Sequence, residues 1–109
     1  MTYRYHPEAR AELFAAAEWY ERELAGLGWE FHDRIEEAIA TVAEQPYAGP
    51  CWPGLATSVP VRRMLVRQFP FALAYLPGAD LEGSWGDVLF IVAVAHLKRR
   101  PGYWLERLY

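Results

Sequence analysis

The stretch 88–104, VLFIVAVAHLKRRPGYW, decides the fold of this chain. Its first eight residues, 88–95, are all apolar and rich in valine and isoleucine, which is typical of a β-strand covered on both faces. Periodicity alone leaves a short buried helix open as an alternative. After this run come a histidine, three cations, a turn pair and two rings: His96, Lys98, Arg99, Arg100, Pro101-Gly102, Tyr103 and Trp104. The predicted strand therefore delivers an imidazole, cations and rings to one edge of the molecule, where they suit binding of an anion or a protein partner.

Outward from this strand, the sequence predicts alternating and helical segments separated by proline- and glycine-rich loops. Residues 2–6 read as a strand, 7–24 as an amphipathic helix, and a second helix ends at about Gln45. The remaining segments are a loop over 46–60, strands over 61–67 and 71–76, a long flexible loop over 77–87 and a short C-terminal helix from Pro101. The acidic outer face of the two helices, to which Glu12 belongs, is typical of solvation, and no function is assigned to it.

This order predicts one α+β domain over 1–109, with the pattern β-α-α-β-β-β-α. It consists of a short N-terminal strand, a helical hairpin, a three-stranded antiparallel meander and a short C-terminal helix. The hairpin packs on one face of the meander and also allows the meander to return beside the first strand. Alternation along 61–67 places Arg63, Leu65 and Arg67 on one face of their strand, and Arg62, Met64 and Val66 on the other.

Composition and charge exclude several classes of protein. The 53% hydrophobic content argues against disorder, and the 16% aromatic content is high enough that we expect some rings to remain exposed for a partner. One cysteine, Cys51, forbids an intramolecular disulfide, and no spacing of metal ligands occurs, so we expect neither metal nor cofactor. The longest apolar run is far below the ~20 residues of a membrane span, and the N-terminus lacks a signal sequence. We therefore expect a soluble cytoplasmic protein.

The charge is unevenly distributed along the chain. Residues 1–45 contain ten acidic and four basic residues, whereas 46–109 contain four acidic and seven basic ones, giving a net charge of −3. Six of those seven cations fall in two groups, around 62–67 and 98–100. The net field repels nucleic acid, so direct sequence-specific DNA binding is not expected, while a local cationic face still attracts phosphate or an acidic protein.

The order of motifs resembles the RelE/ParE family of toxins from bacterial type II toxin–antitoxin modules, also known as plasmid-stabilisation proteins. An Arg-rich strand, a Phe-Pro-Phe turn at 69–71 and an ending Ala-x-x-His-x-x-Arg-x-Pro-x-Tyr-Trp at 93–104 carry this resemblance. It covers nearly the whole chain and is most specific over 62–75 and 92–104. It implies a toxin silenced by an antitoxin whose disordered tail wraps it. Free toxins of this family either cut messenger RNA on the ribosome or bind and poison DNA gyrase.

The candidate site residues divide by mechanism. If the chain is a ribonuclease, His96, Arg99 and Tyr103 are the catalytic candidates, because RNA cleavage needs proton carriers and cations at the phosphate. Arg63 and Arg67 would then also clamp phosphate. The candidates for binding an antitoxin or target are Arg62, Arg63, Arg67, Lys98, Arg99, Arg100 and Trp104.

Each of these residues also has a purely structural interpretation. His96 then caps the sheet, the strand arginines discourage edge pairing, Tyr103 and Trp104 fold onto the core, and 98–100 is a solvated corner.

Two features favour a gyrase-binding, ParE-like toxin over the ribonuclease. Ribosome-dependent RNA cutters of this family carry an arginine on the strand that matches 71–75, and Ala72 stands at that position here. Those enzymes are also strongly basic, whereas this chain is acidic. The ribonuclease remains the alternative, and a non-toxic interaction module of the same fold is a third reading.

Overall fold

The sheet is built around its two most apolar strands. The structure, a computed structural model, describes residues 2–55, 57–78, 86 and 88–108. Along the chain the elements are β1 (Thr2–Tyr5), α1 (Pro7–Glu23), α2 (Leu27–Glu44), β2 (Arg62–Leu65), β3 (Phe71–Pro77), β4 (Val88–His96) and a final 3-10 helix (Leu105–Leu108). β3 is buried along its whole length, and β4 is exposed only in part near its ends. β4 is thus a strand and not a buried helix, as predicted.

The four strands form one mixed sheet in the order β1-β4-β3-β2. β2, β3 and β4 form the predicted antiparallel meander, with Arg63 opposite Ala74 and Phe71 opposite His96. β1 lies parallel to β4, because the helical hairpin carries the chain across the sheet before the meander begins. A register shift between Ala74 and Tyr75 leaves Val92 as an extra residue in β4. The α+β class is confirmed.

Both faces of the sheet are covered, and each cover makes its own core. The hairpin packs on one face, where Phe31, Ile35 and Val42 of α2 are fully buried with Leu73 and Ile91 of the sheet. The C-terminal segment covers the opposite face, and its Trp104 is fully buried among Val61, Ala74, Leu76, Val92, Ala93 and Ala95. Covering on both faces explains why β3 and β4 need uninterrupted apolar sequences.

The hairpin is tight because one glycine removes a side chain at the helix crossing. A Cβ at Gly28 would lie 2.5 Å from the carbonyl oxygen of Ala17 in α1. The carboxylate of Glu21 accepts hydrogen bonds from the backbone N–H groups of Gly26 (2.9 Å) and Gly28 (3.0 Å). Glu21 therefore satisfies two of the free N–H groups at the start of α2 and ties the two helices together.

Three predicted boundaries need correction. β2 ends at Leu65, so the alternation predicted through Arg67 fails; Gln68 has a φ of 77° and the Val66 N–H donates to the carbonyl oxygen of Phe71. The final helix begins at Leu105 rather than at Pro101, because Gly102, with a φ of 82°, interrupts it. β3 continues to Pro77, and residues 79–85 and 87 of the predicted flexible loop lie outside the described residues. Within the described part of the chain, no helix is long and apolar enough to cross a membrane.

Candidate functional site

The end of β4 opens onto a small cavity of about 90 Å³ on the sheet face opposite the hairpin. Six of the sequence-predicted site residues line it together with Trp52, namely Trp104 and Arg63, His96, Arg99, Arg100 and Tyr103. The sequence predicted that cations, an imidazole and rings would lie together at the edge beyond 88–95, and residues of these kinds line the cavity. We call this cavity the β4 cavity.

A short turn after β4 places these residues. The Leu97 N–H donates to the carbonyl oxygen of Pro70, and the Arg99 N–H donates to that of His96. These bonds reverse the chain at the sheet edge, and Gly102 then lets it return over the open face. A Cβ at Gly102 would lie 3.1 Å from the side chain of Leu55, so the return is also closely packed. Arg63 reaches the cavity from β2, with its guanidinium carbon 5.7 Å from the ring centroid of Trp52.

The residue that organises this region, Glu12 of α1, was missed by sequence reasoning. Its side chain is only 15% exposed, although the sequence analysis placed it on a solvated helix face. Its carboxylate accepts hydrogen bonds from the Tyr103 hydroxyl (2.5 Å), from Arg107 (2.8 and 3.0 Å) and from the backbone N–H of Val94 (3.1 Å). Arg99 lies 3.5 Å from the same carboxylate. We call Glu12, Tyr103 and Arg107 the Glu12 network.

The Glu12 network exists because β1 is shorter than β4. β1 pairs with β4 only as far as Ile91, whose carbonyl oxygen accepts from the His6 N–H. Beyond that point no described strand lies beside this edge of β4, and buried backbone groups need partners. Arg107 donates to the Val92 carbonyl oxygen (3.1 Å), and Glu12 accepts from the Val94 N–H. These two side chains replace the missing strand.

Tyr103 is held as a neutral hydrogen-bond donor. Burial raises its pKa, and the hydrogen bond and charge of Glu12 raise it further, against the opposing effect of Arg99 and Arg107. The Arg99 guanidinium carbon lies 3.6 Å from the centroid of the Tyr103 ring. In this arrangement the Tyr103 hydroxyl proton is directed at Glu12, so Tyr103 does not serve as a base.

His96 is also engaged. Its Nδ1 accepts a hydrogen bond from the backbone N–H of Lys98 at 3.0 Å, and its ring packs against Phe71 with centroids 5.0 Å apart. Phe71 belongs to the core under the hairpin, and His96 also lines a hollow with Trp19 and Tyr20 of α1. The His96 ring therefore lies on the hairpin side of the sheet, with its Nδ1 already engaged.

Several predicted residues lie elsewhere. Arg67 is on the hairpin side of the sheet, where its Nε is 3.0 Å from Glu37 of α2, so the prediction that it shares a face with Arg63 is wrong. Arg62 donates to the carbonyl oxygens of Gly49 (2.7 Å) and Tyr47 (3.2 Å), away from the β4 cavity. Lys98 is exposed beside the cavity and does not line it.

The prediction that Trp104 contacts a partner at the surface also needs correction. It is fully buried, so it is not an exposed contact for a partner, and its ring packs 5.3 Å from that of Trp52. The structural interpretation of this residue, folding of the C-terminal segment onto the core, is the one that the structure supports. The expectation of exposed rings is met on the hairpin instead, where Trp29 is 72% exposed and Trp19 52%.

Besides a hollow of about 450 Å³ lined by Trp19, Phe71 and His96, two hollows larger than the β4 cavity lie among the described residues. One, of about 390 Å³, lies on the other side of the Arg99–Tyr103 pair and is lined by polar residues including His6, Glu8 and Arg107. The other, of about 430 Å³, is a mostly apolar groove between α1 and α2 that includes Phe14 and Trp29. Among the residues that the structure describes, no group of three or more His, Cys, Asp or Glu side chains is placed to hold a metal ion.

No family model matches the chain, and no curated protein or solved structure is significantly similar to it. The fold and the site together define an α+β domain with a four-stranded mixed sheet. A cationic cavity lies at the end of β4, one of the two inner strands of that sheet.

Proposed function

We propose that the chain is the toxin of a type II toxin–antitoxin module of the RelE/ParE family, acting in the cytoplasm by binding a protein target. DNA gyrase is the leading target, and a cognate antitoxin is the partner that silences the toxin. The observed order β-α-α-β-β-β, followed by a short 3-10 helix, supports the proposal. The observation that carries the proposal is the β4 cavity, whose described lining contains three arginines and no carboxylate.

Charge separation supports protein binding rather than RNA binding. The hairpin over 7–44 contains ten acidic residues and only three arginines, so one side of the molecule repels a polyanion. The cationic residues of the β4 cavity lie on the opposite face of the sheet. Such a surface suits an acidic protein segment of limited length better than a long RNA wound through a ribosome.

The local chemistry also argues against RNA cleavage. Tyr103 and His96, the candidate proton carriers, are both engaged as described above. Ala72, at the position where RNA cutters of the family carry an arginine, is fully buried between its neighbours Leu65 and Ala95. β3 therefore contributes no cation to the cavity, and Arg67, which follows β2, lies on the other face.

One observation favours the alternative, a ribosome-dependent messenger RNA endoribonuclease. His96, Arg99 and Tyr103, the three catalytic candidates, line the same cavity together with Arg63. If Tyr103 left Glu12 on binding RNA, a phenol and two guanidinium groups would face one phosphate, whereas the His96 ring packs against Phe71 on the hairpin side.

The two functions are separated by assays on purified protein. We expect induced expression to arrest growth, and the protein to inhibit supercoiling by gyrase and to trap covalently cleaved DNA. Messenger RNA should remain intact on ribosomes. Cleavage of that RNA, abolished by His96→Ala, would instead establish the ribonuclease. A short neighbouring reading frame with a DNA-binding head and an acidic tail would identify the antitoxin.

A further inference from the structure

The lining of the β4 cavity supplies hydrogen-bond donors and positive charge without a matching acceptor side chain. Arg63, Arg99, Arg100 and His96 all line it. Aspartate and glutamate are absent from the described lining of this cavity. Arginine presents its donors in a planar fork that matches the two oxygens of a carboxylate.

Two of these arginines have uncompensated charge. Arg99 lies 3.5 Å from Glu12, so its charge is partly balanced within the protein. For Arg63 and Arg100, the described ranges 2–55, 57–78, 86 and 88–108 provide no carboxylate within 4.0 Å. Arg63 is oriented by the ring of Trp52, which is consistent with a side chain held in place for a ligand.

A buried donor points to the same place. Trp104 is fully buried, and its indole Nε1 has no hydrogen-bond partner among the described residues. Buried N–H groups are almost always paired, and an indole nitrogen acts only as a donor, so this atom requires an acceptor. Trp104 itself lines the β4 cavity. Trp104 and the two arginines that lack a carboxylate partner, Arg63 and Arg100, thus line the same cavity.

We propose that the β4 cavity binds the carboxylate of an acidic side chain from a protein partner, with Arg63 and Arg100 as its cationic contacts and Trp104 as a buried donor. A volume of about 90 Å³ is large enough for a carboxylate group and smaller than a whole nucleotide. The inference deepens the proposed function, on which it rests for the identity of the partner, by naming the chemical group that the partner inserts. In this proposal Trp104 takes part in binding as a buried hydrogen-bond donor and not as an exposed contact.

The test is an NMR titration of the full chain labelled with ¹⁵N. The sequence contains five tryptophans, so the indole region shows a small, resolvable set of signals. Assignment of the Trp104 signal on the wild-type chain avoids reliance on a core variant. The probe is the blocked tripeptide acetyl-Gly-Glu-Gly-amide, its control is the glutamine analogue, and inorganic phosphate is titrated separately.

We expect the glutamate peptide, and not its glutamine analogue, to shift the Trp104 Nε1–H signal in a saturable way. Arg63→Met should weaken binding by roughly tenfold or more, the usual effect of losing a charge-assisted hydrogen bond. Arg67→Met is the matched control, because Arg67 is an arginine directly after β2 that pairs with Glu37 on the other face. Its binding should equal that of the wild type.

An unmoved Trp104 signal with the glutamate peptide overturns the proposal. So does equal weakening by Arg63→Met and Arg67→Met, which would indicate a general charge effect. A shift with inorganic phosphate but not with the peptide would assign the cavity to phosphate and reject the carboxylate. Growth arrest and gyrase inhibition are measured separately, so failure of this inference and failure of the proposed function are distinguishable.

Discussion

Removal of the Glu12 carboxylate should destabilise the protein far more than removal of any exposed glutamate on the same helix. Glu12→Ala leaves the Tyr103 hydroxyl, the Val94 N–H and much of the Arg107 guanidinium without their acceptor. The side chain of Arg107 is only 10% exposed, so water replaces little of what is lost. Breaking a buried ion pair by removing one partner costs about 3–5 kcal/mol.

The lower end of that range applies here. Arg107 keeps two other contacts, with Glu8 at 3.4 Å and with the carbonyl oxygen of Val92 at 3.1 Å. We therefore expect a loss of about 3 kcal/mol, from a total of about 5–15 kcal/mol for a domain of this size. At about 4 °C per kcal/mol, the melting temperature should fall by roughly 12 °C.

The matched control is Glu18→Ala on the same helix. Glu18 pairs with Arg22 at 3.2 Å, but both side chains are largely exposed, at 71% and 66%, so this pair contributes about 0.5 kcal/mol or less. Both substitutions change glutamate to alanine in α1, so their effects on helix propensity cancel in the comparison. Urea unfolding followed by tryptophan fluorescence measures both variants. A difference below about 1 kcal/mol between them would refute the role given to Glu12.

Two further predictions concern the same folded state. Because the pKa of Tyr103 is raised in the fold, its contribution to stability is complete below the unfolded pKa of about 10 and is lost as the pH rises through the folded value. Tyr103→Phe should thus make the alkaline loss of stability less steep in denaturant unfolding measured across pH; an unchanged slope would contradict this. Gly28→Ala would ordinarily stabilise a helix by about 1 kcal/mol, but its Cβ would lie 2.5 Å from the Ala17 carbonyl oxygen. We expect a loss of about 1–3 kcal/mol instead, and a stabilised variant would show that the helices separate easily.

The local patterns predicted the elements well because each depends on short-range periodicity. The apolar run over 88–95 became β4, and the helical spacing of apolar residues over 7–24 became α1. The turn over 68–70 and the chain reversal after His96 follow from proline, glycine and polar residues at those positions. The convergence of Arg63, His96, Arg99 and Tyr103 was also predictable, because β2, β3 and β4 were expected to be neighbours in the meander.

Contacts between distant segments were not predictable. Glu12 and Tyr103 are 91 residues apart in sequence, and Glu12 and Arg107 are 95 apart. In the sequence Glu12 resembles the other glutamates of α1, and no local signal separates it from them. Arg67 was misplaced because one residue with a positive φ, Gln68, lies directly after it, where the strand alternation has already ended.

Local sequence patterns were sufficient to predict the elements, the α+β class and the cations, histidine and rings that follow β4, since these depend on side chains a few positions apart. The burial of Trp104, the position of Arg67 on the hairpin side and the contact of Glu12 with the edge of β4 follow instead from how distant segments pack. Glu12 is needed at this edge because β1 is short: it ends at Tyr5 and leaves backbone groups of β4 without a strand partner. Which side chains satisfy those groups depends on how α1 and the C-terminal segment cross the sheet, and no local pattern encodes that crossing.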